Sequence, residues 1–177
     1  MNHSSPVVEG QLESSALISR PTSAALASAV FIVPLALSWS TSPAPQHPRV
    51  LLWYTLLSKP DFKPSDWAIP VTWGVIETAM AVAAYRLIRQ PQSAARNKAL
   101  ALLALNTVSI GGWSRVFFGS RSLPVTTVAA AAMIGSGAAY IEQARKVDKQ
   151  SALAGIPFVA WVAFATLLTA ELWRRNR

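Results

Sequence analysis

The chain has 177 residues, of which 52% are hydrophobic and 14% charged, against about 25% charged in a typical soluble domain. It carries a net charge of +8 and no cysteine, which excludes a disulfide framework, a zinc–thiolate centre, a haem-thiolate and a thiol nucleophile. The apolar residues fall in five long runs separated by charged knots. A chain of this size has too little polar surface to hide them from water. The pattern therefore predicts an all-α integral membrane protein, a five-transmembrane-helix bundle in one domain over residues 23–177.

Residues 1–22 are polar and Ser-rich and read as a disordered tail. Glu9 and Glu13 argue against a mitochondrial presequence, and no basic stretch near Met1 suggests a secretory signal. The first span, about 24–40, contains Pro34 and is shorter than the roughly 20 residues a bilayer requires. A long loop follows, with Pro43, Pro45, Pro48, Pro60 and Pro64. Prolines fix φ and lower the loop's entropy, so it should hold a defined shape. The remaining spans are predicted at about 67–88, 99–118, 123–144 and 152–173. Short connections between them favour antiparallel neighbours.

Basic residues cluster beside the spans: Arg86 and Arg89, Arg96 and Lys98, Arg145 and Lys146, Arg174 and Arg175. That placement predicts contact with lipid headgroups and argues against nucleic acid as a partner. The 16 basic residues divide equally between the two sides, so the positive-inside rule assigns no orientation.

Trp39, Trp53, Trp67 and Trp173 lie at or near span ends, where an amphipathic indole anchors at the interface. Trp73, Trp113 and Trp161 lie inside spans. They either pack between helices or offer a face to a flat apolar ligand. Glu77 sits near the centre of the second span, one turn after Trp73 on the same face. A carboxyl at that depth marks either a ligand contact or a structural hydrogen bond, and Asn106 and Ser109 are at suitable depth to make one. Ala131, Gly135 and Ala139 recur every four residues, as at a close helix contact within the bundle or a dimer seam. Gly111-Gly112 suggests the same, or a local bend. The histidines, His3 and His47, fall in the tail and the first loop. No catalytic constellation and no metal-ligating set appears. Leu51, Tyr54 and Lys59 match a sterol-contact pattern of low specificity.

One resemblance organises these features. The segment holding Trp53, Tyr54, Leu57, Lys59, Pro60, Pro64, Trp67, Pro70, Trp73 and Met80 follows, without a gap, the first-loop and second-helix motif of the tryptophan-rich sensory protein / translocator protein family. Trp113, Ser114, Phe117 and Phe118 follow its third-helix element. Pro157, Phe158, Trp161, Val162, Phe164 and Ala165, with Trp173 and Asn176, follow its last helix. The chain resembles that family from about residue 24 onward.

The resemblance implies a five-helix bundle, often a homodimer, with a pocket beneath the long first loop for tetrapyrroles such as protoporphyrin IX or haem, for sterols and for synthetic drugs. No cofactor is required. Its implied ligand-binding residues are Trp73 and Trp161, joined by Glu77, Asn106, Ile110, Trp113 and Phe117. The lid loop is carried by Trp53, Tyr54, Lys59, Pro60, Pro64 and Trp67. The family further implies a bacterial inner membrane, a mitochondrial outer membrane or an endomembrane, according to source. Light-dependent porphyrin breakdown is proposed for some members, which gives one alternative function. A scaffold with a decayed pocket gives another, because Ile110 and Thr169 stand where the family has Asn. Glu77 replaces a Tyr, Phe62 a Trp, Ser65 a Pro and Ala170 a Tyr.

Overall fold

The computed structural model describes residues 18–177. Those residues form helices and turns, with no strand among them, and five helical segments are long and apolar enough to cross a membrane. Helix α1 spans Arg20–Ser38, with Ser19 at its N-cap accepting a hydrogen bond from the Thr22 N–H and a proline in its first turn. These start signals place the helix four residues before the expected beginning of the span. Residues 20–22 are therefore helix and not tail. The rest of the predicted tail, residues 1–17, lies outside the described residues.

The first loop contains a helix of its own, α2, at Pro48–Leu56, again opened by a proline and closed where Leu57 turns extended. Helix α3 spans Ala68–Ile88. Helix α4 spans Ala94–Ser114, capped by the Ser93 side chain, so it starts five residues ahead of the predicted 99. It runs on as one wide turn of π-helix over Arg115–Gly119. Helix α5 spans Leu123–Ala144. The fifth span is two helices, α6 at Lys149–Ala154 and α7 at Ile156–Arg175, interrupted at Gly155.

Helix α4 lies centrally. It packs on α1 and α5, and α1 also covers α3; α7 runs along α5, while short α6 tucks against α3. Ile76, Met80, Leu87, Leu103, Met133 and Phe158 form much of the buried core. Lipid tails are as apolar as these side chains, so close backbone approach matters more here than in water. Gly111 supplies it: a Cβ there would lie 2.8 Å from the Pro34 Cα. Gly137 supplies it against α7, where a Cβ would meet Val159 at 2.7 Å. Ala131, Gly135 and Ala139 point outward instead. A Cβ at Gly135 would meet nothing, so the close contact inside the bundle is made one turn-face away.

Two of the basic residues expected at headgroups fasten one helix to another. Arg96 is 7% exposed and donates to the Leu87 and Ile88 carbonyls at the end of α3. Arg86 forms a two-pronged pair with Asp148, at 2.7 and 2.8 Å. Asp148 is also the N-cap of α6 and accepts from the Ser151 N–H and hydroxyl. The Arg86 hydrogen bond holds its carboxyl well below the usual range, with Ser151 helping and burial opposing. A depressed carboxyl pKa adds stability that is complete above the unfolded value near 3.9 and lost as pH falls through the folded one. Asp148→Ala is expected to cost about 1–2 kcal/mol at neutral pH. Its melting temperature should fall less steeply than the parent's below about pH 4, where the parent loses this contribution. Thermal unfolding in detergent from pH 8 to pH 3 reads both effects, and parallel acid slopes would refute the assignment.

Candidate functional site: an aromatic cavity beneath the first loop

A small cavity of about 70 Å³ lies among α3, α4, α5 and α7, directly under the loop that joins α1 to α3. Trp73 and Ile69 come from α3, Trp113 from α4, and Ala130 and Met133 from α5. Helix α7 contributes Trp161, Phe164, Ala165 and Leu168 as one stripe at helical spacing, with Val162 beside it. Pro64 of the loop closes the top. The lining is almost wholly apolar. Trp73 and Trp161 meet edge to face across it, with centroids 6.3 Å apart and planes at 89°. Trp161 is tilted against Phe164 at 5.3 Å, and Phe62 of the loop reaches Phe164 at 6.3 Å.

The loop is fixed at both ends. Trp53 and Tyr54 on α2 set their ring edges against Phe117, and Tyr54 also meets Phe118. Phe117 stacks on Trp113 at 5.0 Å with planes 5° apart, so the π turn links the lid to the cavity wall. Lys59 lies over the Tyr54 ring, and its ammonium donates to the Tyr54, Thr55 and Leu57 carbonyls, satisfying the open end of α2. Burial lowers the Lys59 pKa from its ordinary value, and nearby Lys63 adds to the shift. At the far end, the Asn176 side chain accepts from the Ser58 N–H at 2.9 Å and donates to the Ser58 carbonyl at 3.0 Å. Pro60 is buried beneath this clasp, whereas Trp67 is 71% exposed at the mouth of α3.

Of the residues that sequence reasoning put at the site, Trp73, Trp113, Trp161 and Pro64 share the cavity wall. Phe117 sits one layer behind, against Trp113. Asn106, Ile110 and Glu77 lie outside the wall. Asn106 is fully buried and ties α4 to α5 through Ser136, whose hydroxyl donates to it at 2.6 Å. Ile110 packs in the central core. Glu77 is half-buried, with no ion pair to it among the described residues. Ala130, Met133 and Leu168 went unforeseen. Small or flexible apolar residues on buried faces give no sequence signal beyond helix packing. The Trp161 indole, followed by Phe164, Ala165 and Leu168 at three, four and seven residues, was the available clue.

The gapless run of aromatic and proline positions that builds this lid and cavity matches known proteins. The profile of the TspO/MBR family covers residues 26–174. The chain belongs to the TspO/MBR family. It is 31% identical to the human translocator protein over 133 residues, 73% of this chain and 78% of that one. It is 30% identical to protein CrtK of Rhodobacter capsulatus over 133 residues, 70% and 78% of the two chains. It is also 30% identical to the tryptophan-rich sensory protein of Cereibacter sphaeroides over 128 residues, 70% and 77%. This TspO/MBR protein is thus a multi-pass membrane protein. Two of its departures from the family pattern fall away from the cavity. Ile110 is core, and the Thr169 hydroxyl is satisfied by the Ala165 and Thr166 carbonyls of its own helix.

Proposed function

We propose that this TspO/MBR protein is a membrane binding protein, a sensor, carrier or scavenger, for tetrapyrroles such as protoporphyrin IX, held among the helices beneath the first loop. One observation carries the reading: two indoles, from α3 and α7, meet edge to face in the wall of an apolar cavity. Burial of flat hydrocarbon surface would supply the affinity, and the indole faces would supply preference for a conjugated ring. A sterol has saturated rings and no π face to stack, so the paired indoles favour the macrocycle. The departures at Ile110 and Thr169 leave the wall intact, which argues against a decayed pocket. The cavity holds about 70 Å³, below the roughly 300–1,000 Å³ of ligand pockets, so binding requires wall side chains to move apart.

Titration of the purified protein with protoporphyrin IX in the dark tests this, read by the Soret shift and tryptophan quenching. Saturable binding is expected. Trp161→Ala should weaken it about tenfold by removing one stacking face and its buried area. Circular dichroism checks that the variant folds. Absence of saturable binding by the parent, or equal affinity in the folded variant, would overturn the reading.

A further inference from the structure

The cavity is walled unequally. On three sides it is backed by helices in continuous contact: α4 with α5, and α5 with α7. Between α3 and α7 there is no such backing. In the half of the bundle away from the loop, α3 packs on α6, fastened by Arg86–Asp148 and by the Ser151 hydroxyl donating to the Ala83 carbonyl. The helix is then interrupted at Gly155, which is wedged against Tyr140 and Ile141 of α5 so tightly that a Cβ would lie 2.7 Å from the Tyr140 ring. Beyond that point α7 follows α5 and makes no extended contact with α3. The cavity is lined by both helices where they lack close backbone contact. Among the described residues, Trp73 meets Trp161 across the seam, and nearer the surface Phe62 of the first loop covers it by meeting Phe164.

The alternative way in, past the loop, is held by directional bonds. Asn176 grips both backbone groups of Ser58, Arg175 donates to the Lys59 carbonyl, and α2 is seated on the π turn through Trp53 and Tyr54. Lifting the loop breaks all of these together. Opening the seam requires only that aromatic rings swing.

We propose that the α3–α7 seam is a lateral portal: the ligand passes between hydrocarbon and cavity through it, and the Trp73–Trp161 and Phe62–Phe164 pairs are its gate. The proposal rests on the cavity being the ligand site. It makes the two indoles movable doors as well as stacking surfaces, and it suits a ligand already dissolved in the bilayer.

The absence of cysteine makes an engineered pair unique, so the two routes can be separated. In Ser58→Cys/Asn176→Cys, a disulfide or short bifunctional maleimide locks the loop to the end of α7. Stopped-flow association of protoporphyrin IX with protein in vesicles is compared before and after locking. The locked loop should leave the association rate within about twofold, and Trp73→Ala should raise it about tenfold while weakening affinity, because a gate has been removed. Abolished association in the locked protein, or a slower rate in Trp73→Ala, would overturn the portal. A second measurement needs no porphyrin. Phosphatidylcholine brominated in mid-chain should quench the parent's emission. The quenched share should drop in Trp161→Phe and persist in Trp113→Phe. Equal quenching of parent and Trp161→Phe would reject the portal. Quenching as expected without porphyrin binding would reject the ligand and leave the portal standing.

Discussion

Gly111→Leu is expected to abolish the folded bundle in detergent, whereas Gly112→Ala, at the neighbouring position, should be neutral or mildly stabilising. The two glycines look alike in sequence and differ entirely in surroundings. A Cβ at Gly111 would lie 2.7 Å from the Leu37 Cβ, 2.8 Å from the Pro34 Cα and 2.9 Å from the Pro34 carbonyl oxygen. Two of those three are backbone atoms of α1 and cannot rotate away. A Cβ at Gly112 would meet nothing. Overpacking by a single methyl commonly costs about 1–3 kcal/mol, and leucine adds three more carbons at the same spot. With stability of only about 5–15 kcal/mol in a typical protein, the α1–α4 contact should give way. Gly112→Ala removes a flexible residue from a helix interior, worth up to about 1 kcal/mol in favour of the helix. Monodisperse yield and thermal unfolding by circular dichroism check the pair. Comparable stability of the two variants would show that α1 and α4 do not meet as described.

That contrast marks where sequence reading stops. The spans were legible because hydrocarbon demands long apolar helices, and each run of that kind is visible. Trp73 and Trp161 stood out because an interior indole is uncommon and each sits in a recognisable motif. Helix α2 was not legible. Its proline-rich surroundings read as loop, although Pro48 in a first turn is also a helix start. The interruption at Gly155 was hidden inside an apolar run in which glycine and proline are tolerated. Spacing alone could not say whether Ala131, Gly135 and Ala139 meet a helix of the same bundle or a second copy; within the bundle the close contact is carried by Gly137. Asn106 shows the same limit. A buried amide must find a partner, and only the fold shows that Ser136 supplies one.

Arg96→Met is expected to destabilise the protein by about 2–4 kcal/mol, more than any change at an exposed charge. The last carbonyls of α3 have no partner within their own helix. Arg96, at the start of α4, reaches back to two of them, with Nε 2.9 Å from the Leu87 oxygen and Nη2 2.8 Å from the Ile88 oxygen. Its remaining nitrogen donates to the Asn97 side chain at 3.2 Å. The guanidinium thus fixes the angle between α3 and α4 across a short turn, at a site 7% exposed to solvent. Methionine keeps much of the apolar volume but strips the Ile88 carbonyl of its partner and leaves the Leu87 carbonyl with only the Gln90 N–H, 3.1 Å away. Lysine keeps the charge but presents a single ammonium where a planar fork spans two acceptors, so Arg96→Lys should recover less than about half of the loss. Denaturant unfolding of the three proteins gives the comparison. Full rescue by lysine would mean that charge at the helix end suffices and the fork geometry does not matter. A methionine variant as stable as the parent would mean that water reaches and satisfies the end of α3, contrary to its burial.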